Sequence, residues 1–294
     1  MRTAVLDIAY LEFGPPEGAP VVLLHGFPDD VHAYDAVAPA LALGGYHVLV
    51  PWLRGYGGTR FLDTGTPRSG QQAALGADLR DFLDALGIGR TALAGYDWGG
   101  RAACIVAALW PERVRCLVSV TGYNIQDIAA SSQPAPAEVE NRMWYVWYFN
   151  TERGRAGLSR NRDGIARLLW RLWSPNWRFT ADDFARTAAS FDNPDFVDVV
   201  IHSYRHRHMA APGDPALDAI EARLAERPPI PVPTIVLHGA ADGIGPPSLN
   251  DRDAERFTGD YLRRIIPVAG HFLPNEAPGA MIEALTDLLG LTPA

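Results

Sequence analysis

The sequence predicts an α/β fold in which a mostly parallel central sheet is flanked by helices and carries an inserted helical lid. Three observations predict it. Short apolar segments alternate with stretches of helical spacing along residues 1–123 and again along 229–294, and strands separated by helices of that length pair in parallel. Between them, residues 124–228 lose the apolar β runs and turn to long helical patterns rich in Trp and Arg. Loops bearing polar side chains follow several strands at their carboxyl ends, where open α/β sheets gather their functional groups.

In chain order, Thr3 to Phe13 alternates apolar and polar residues as a half-buried strand does, and Gly14-Pro15-Pro16-Glu17-Gly18 closes it as a turn. Val21 to Leu24 is a fully apolar strand that stops at His25-Gly26-Phe27-Pro28-Asp29-Asp30, where Gly and Pro force an abrupt loop. Val31 to Leu43 has helical spacing, Tyr46 to Pro51 is an apolar strand, and Arg54 to Thr59 is a glycine-rich loop. Gln71 to Leu86 sets Leu75, Leu79, Phe82, Leu83 and Leu86 at helical spacing, with Gly87 as C-cap.

Thr91 to Gly100 reads as strand, tight turn and helix start, with Gly95, Gly99 and Gly100 small enough to let the backbone lift Asp97 above the sheet. An ordinary helix start with Asp97 as N-cap has the same local pattern. Arg101 to Trp110 continues as a helix stopped by Pro111, and Cys116 to Val120 is a strand. In the helical insert, Leu169, Trp170 and Trp173 share one face and read as packing core. The proline-rich return 228–233 leads to a strand, Thr234 to Leu237, ending in His238-Gly239-Ala240-Ala241-Asp242. The last strand, Leu262 to Ile266, ends in Val268-Ala269-Gly270-His271, and a helix covers about Ala277 to Leu289.

A net charge of −8 argues against a nucleic-acid partner and favours a small-molecule substrate. No apolar run approaches the roughly 18 residues of a spanning helix, and charge interrupts the first residues too early for a secretory signal, so a cytoplasmic protein without membrane contact is expected. Cys104 and Cys116 are expected to be buried free thiols. His202, His206 and His208 lack an interleaved acidic or cysteine partner, so no metal is expected. The sequence leaves monomer and homodimer open.

Three polar residues stand at the ends of separate strands in the order Asp97, Asp242, His271. With the turn at Asp97 and the insert after the following strand, this order resembles the α/β-hydrolase fold family, along nearly the whole chain. The resemblance implies that Asp97 is a nucleophile, that Asp242 orients His271, and that the backbone N–H groups of Phe27 and Trp98 form an oxyanion hole. Asp127 is a weaker candidate for the acid. A carboxylate needs no base before it attacks a saturated carbon, and His271 would activate water against the resulting ester. Within the family the pattern looks like epoxide hydrolases and the related haloalkane and haloacetate dehalogenases.

The insert bears on that choice. Met143 to Asn150 resembles the Tyr-x-x-Tyr-Phe segment of epoxide-hydrolase lids, which implies Tyr145 as an acid toward the oxirane oxygen, with Tyr148 as its substitute. His202-Ser203-Tyr204-Arg205 resembles the segment holding the second lid tyrosine, here Tyr204. Trp144, Tyr148 and Pro28 are further substrate-binding candidates. Fluoroacetate dehalogenases carry one arginine immediately after the nucleophile and another three residues later. Only Arg101 matches here, so it reads as a loop support. The expectation is a cofactor-free hydrolase that turns an epoxide into a vicinal diol. A dehalogenase with the same ester chemistry and a non-catalytic binding protein on the same scaffold are the alternatives.

Overall fold

The computed structural model describes residues 1–250 and 252–291. In chain order its strands are β1 (Leu6–Asp7), β2 (Tyr10–Phe13), β3 (Pro20–Leu24), β4 (His47–Pro51), β5 (Arg60–Phe61), β6 (Thr91–Gly95), β7 (Val114–Val120), β8 (Thr234–Gly239) and β9 (Tyr261–Ile266). Seven of them form one sheet in the order β2-β4-β3-β6-β7-β8-β9. Only β2 runs antiparallel to its neighbour; the other pairs are parallel. Every residue of β6, β7 and β8 is buried, as continuous apolar runs between two helical layers should be. At the edge, β9 carries Arg263 and Arg264 and alternates toward solvent, which blunts the open edge.

The segment expected as one strand from Thr3 to Phe13 is two. β1 pairs with β5 in a small separate sheet, whereas β2 joins the edge of the large one. The break falls at Ile8 and Ala9, whose backbone groups bond instead to Met1 and Trp52. The helix expected over Val31 to Leu43 also divides, into a 3₁₀ turn at Val31–Tyr34 and α1 at Val37–Leu43.

The remaining core helices are α2 (Gln72–Ala85) and α3 (Asp97–Leu109). Between β7 and β8 lie α4 (Ala137–Arg142), α5 (Trp144–Phe149), α6 (Glu152–Trp173), α7 (Ala181–Ala188), α8 (Phe196–His206) and α9 (Asp218–Ala225). After β9 come α10 (Leu273–Glu276) and α11 (Pro278–Leu291). Helices α2 and α3 pack so closely that a Cβ on Gly76 would lie 2.2 Å from Ile105. The guanidinium of Arg54 ties the loop after β4 to α2 through a bidentate pair with Asp78.

Aromatic rings hold the inserted helices to the sheet. Phe27, at the end of β3, meets Phe149 of α5, Trp173 of α6, and Phe196 and Tyr204 of α8 at centroid distances of 5.4–6.5 Å. The Trp170 indole N–H donates to the Pro28 carbonyl at 2.7 Å, and that of Trp52 donates to Ser190 at 2.9 Å. Leu169, Trp170 and Trp173 are all buried, as their helical stripe predicts. Cys104 and Cys116 are buried free thiols. Among the described residues, no helix is long and apolar enough to cross a membrane.

Candidate active site

The elbow between β6 and α3 follows from its glycines. A Cβ on Gly99 would sit 2.1 Å from the Leu24 carbonyl oxygen, and one on Gly95 would sit 2.6 Å from the Gly99 backbone. Only bare backbone lets α3 start this close to β3. Asp97 takes the bend with φ of +49°, a conformation that costs an L-residue about 1–2 kcal/mol.

The two oxygens of that side chain face different partners. Asp97 Oδ1 accepts from the Phe27 backbone N–H at 2.8 Å. The Trp98 N–H lies in the first turn of α3, where no acceptor exists within the helix. Asp97 Oδ2 lies 3.9 Å from His271 Nε2. That nitrogen is buried without a hydrogen-bond partner, while His271 Nδ1 bonds Asp242 Oδ2 at 2.9 Å. The second oxygen of Asp242 accepts from the backbone N–H groups of Ile244 (2.8 Å) and Gly245 (3.2 Å). Burial opposes charge on both partners. Their attraction outweighs it, so the Asp242 carboxyl is held below its usual range and the His271 imidazole above its own.

The carboxyl end of α6 aligns these loops. The Trp173 carbonyl accepts from Gly243 N–H at 2.9 Å and from His271 N–H at 3.1 Å, so one oxygen grips both the acid loop and the histidine loop. Glu276 accepts from Gly270 N–H, and Ser174 Oγ accepts from Phe272 N–H. A cavity of about 200 Å³ opens above the elbow, lined among others by Asp97, Arg101, Tyr145, Arg207, Asp242 and His271.

The family model for the alpha/beta hydrolase fold matches residues 19–278. The chain belongs to the α/β-hydrolase fold family. It is 30% identical to Epoxide hydrolase A of Mycobacterium tuberculosis, over 95% of this chain and 92% of that one. The crystal structure of a Klebsiella pneumoniae protein proposed to be an epoxide hydrolase superposes with a TM-score of 0.95 at 47% identity, covering 98% of this chain and 95% of the other. A haloalkane dehalogenase of Mycobacterium marinum is 33% identical over 41% of this chain and 40% of its own. The protein is a hydrolase of this fold.

The hydrolase brings together most of the residues singled out above. Tyr145 is buried on the cavity wall, and burial raises its phenol so that it stays protonated at neutral pH. Tyr204 packs edge-on against it with centroids 5.5 Å apart and is raised by the same cause, but it is not among the cavity's lining residues. Tyr148 points away, its hydroxyl set over Gly157 of α6, and Trp144 packs on Tyr148 and Tyr145 from outside. Pro28 gives its carbonyl to Trp170 and likewise stays off the cavity wall.

Two histidines outside the site are held by backbone groups. His25 accepts from Leu53 N–H through Nε2, and burial pushes it down to about 4, so it is neutral. His202 accepts from Gly70 N–H and donates to the Pro212 carbonyl, which occupies both ring nitrogens. Asp127 pairs with Arg227 at 3.5 Å. Arg101, expected as a loop support, lies on the cavity wall. Arg207, Met143, Thr121, Asn124, Ile244 and Gly245 also line that cavity and carried no signal in the sequence. Their approach to the cavity depends on how the loops and inserted helices fold together, which spacing does not encode.

Proposed function

We propose that the hydrolase converts an epoxide to a vicinal diol through an ester on Asp97, with residues 124–228 acting as a lid. Asp97 Oδ2 attacks an oxirane carbon, the carbon–oxygen bond of the ring breaks, and the ring oxygen takes the Tyr145 phenol proton. Tyr204, the second buried phenol, backs the Tyr145 ring. Oδ1 is then the ester carbonyl oxygen, already beside the Phe27 N–H. His271 removes a proton from water, and the hydroxide adds to that carbonyl carbon. The oxyanion forms on Oδ1, facing the Phe27 and Trp98 N–H groups. Collapse expels the diol alkoxide, which takes the proton from His271. The proton left on the Asp97 carboxyl restores the phenol, so one water is consumed and no cofactor is needed.

The observation that carries this reading is the cavity wall that Asp97, Tyr145 and His271 share. An ionised nucleophile, a protonated phenol and a base fixed by an acid are the groups that ring opening and ester hydrolysis require. The names of the relatives support it. Release of halide from a haloalkane is the second reading, favoured by a separate observation: among the described residues, the buried indole N–H groups of Trp98 and Trp173 have no hydrogen-bond partner, as donors to a halide would. Incubation with matched epoxides and alkyl bromides, read by diol and bromide analysis, separates the two. Diol from epoxides is expected, and loss of diol formation but not of bromide release in Tyr145→Phe assigns the phenol. Bromide release with no diol from any epoxide would overturn the proposal.

A further inference from the structure

Two arginines on the cavity wall have no part in that chemistry. Arg101 lies one helical turn beyond Asp97 on α3, about 6 Å along the axis. It is 7% exposed, and its Nε is buried with no hydrogen-bond partner. Arg207 comes from the opposite side, just past the end of α8, with Nε and Nη2 likewise buried and unpartnered. Its guanidinium also lies 4.4 Å from the centre of the Tyr204 ring. Among the described residues, neither guanidinium has a carboxylate at ion-pair distance, in contrast to Arg54, which is buried against Asp78.

Burying Arg101 and half-burying Arg207 without a counter-ion is costly, and two cations on one small cavity add mutual repulsion. Burial and the Arg207 charge together push Arg101 down to about 10, so it remains a cation at neutral pH. The nearby anions are committed elsewhere. Asp242 is taken up by His271, Ile244 and Gly245, and Asp97 by Phe27 N–H and its own chemistry. Two cations against the one nucleophilic carboxylate leave a single positive charge facing the substrate.

We infer that the substrate carries a carboxylate held between Arg101 and Arg207, joined by a short link to the electrophilic carbon. This rests on the reading of Asp97 as nucleophile. Planar guanidinium forks match a carboxylate's two oxygens. The one-turn separation of Arg101 from Asp97 sets the short link. The cavity, of about 200 Å³, suits a small epoxy acid. Holding the carboxylate there would turn the oxirane toward Asp97 Oδ2 and Tyr145, so the pair selects the substrate and orients it.

The test compares 2,3-epoxybutanoate with its primary amide in the intact enzyme, and in Arg207→Gln, Arg207→Lys and Arg101→Gln. Binding of unreactive cyclopropanecarboxylate and cyclopropanecarboxamide is measured by calorimetry alongside. The acid should exceed the amide in kcat/KM by about a hundredfold. That ratio should fall toward one in the Gln variants, chiefly through KM, and be partly restored by Lys. Cyclopropanecarboxylate should bind the wild type and lose about as much affinity in the Gln variants. Equal handling of acid and amide by the wild type, or a ratio untouched by both Gln variants, would overturn the inference. If no epoxide is opened while Arg207-dependent carboxylate binding persists, the reaction assigned above fails and the anion site stands. If epoxides are opened without regard to charge, the reaction stands and the anion site fails.

Discussion

In the proposed reaction the two oxygens of Asp97 have separate tasks, and the protonation of its neighbours decides whether each can be done. The Nδ1 proton of His271 is committed to Asp242, so Nε2 presents a lone pair toward Asp97. Because His271, as the proposed base, works only when neutral and its pKa is raised, ester hydrolysis should increase with pH through a midpoint above the ordinary value of 6.5. In Asp242→Asn the raising carboxylate is gone and burial remains. The midpoint should move below 6.5 and the rate fall by about 10⁴-fold, as read from ester decay in single turnovers between pH 5 and 9. Tyr145→Phe acts on the earlier step and should slow ring opening by about 10²–10⁴-fold, measured as the rate of ester appearance. A phenyl ring retains the packing against Trp173 and Tyr204, so this variant isolates the proton.

At the scale of elements, the elbow depends on what its glycines leave out. Gly99→Ala forces a methyl onto the Leu24 carbonyl and should destabilise the protein by at least about 1–3 kcal/mol with loss of activity, read by thermal melting and turnover. Gly164, exposed within α6 with nothing near its missing Cβ, gives the contrast: Gly164→Ala should stabilise by about 0.5–1 kcal/mol and leave activity alone. The same local chemistry explains what was legible in the sequence. Buried parallel strands announce themselves as apolar runs, and the elbow and Asp242 follow such runs closely, while His271 stands in the loop after the half-buried edge strand β9, so their place at the carboxyl ends of the strands followed from topology. The Thr3–Phe13 segment was misleading because alternation reports a half-buried strand without naming its partner. Tyr145 and Tyr148 could not be told apart by spacing alone, since the rotation of α5 against α6 and α8 decides which phenol enters the cavity. Arg207 stayed hidden because its place on the cavity wall depends on how the inserted helices pack over the elbow.

Across the whole molecule, one buried carboxyl joins the pieces that meet around the elbow. Asp29, in the loop after β3, accepts from Tyr96 Oη at 2.6 Å and Asn275 Nδ2 at 2.8 Å, and Thr187 of α7 lies at 3.4 Å. Burial, then the Asp30 charge, push it up to about 7 against the pull of those donors. A carboxyl raised in the folded state favours folding while it is protonated, so its contribution is full below its unfolded value and is lost as pH rises through 7. His271, also raised, has the same sign, and the buried His25 has already lost its opposing effect above pH 6.5. The melting temperature should therefore fall from pH 6.5 to 8.5, with Asp29 contributing about 1 kcal/mol or ~2 °C, and Asp29→Asn should flatten that slope. The central claim concerns a bond rather than a fold: the substrate carbon becomes attached to Asp97, and water then attacks the Asp97 carbonyl. A single turnover of an epoxide in water enriched in ¹⁸O, followed by mass analysis of the peptide containing Asp97, tests it most directly. One heavy oxygen in the Asp97 carboxylate, with none from the solvent in the first diol released, is the predicted result; label in the diol and none in Asp97 would contradict it.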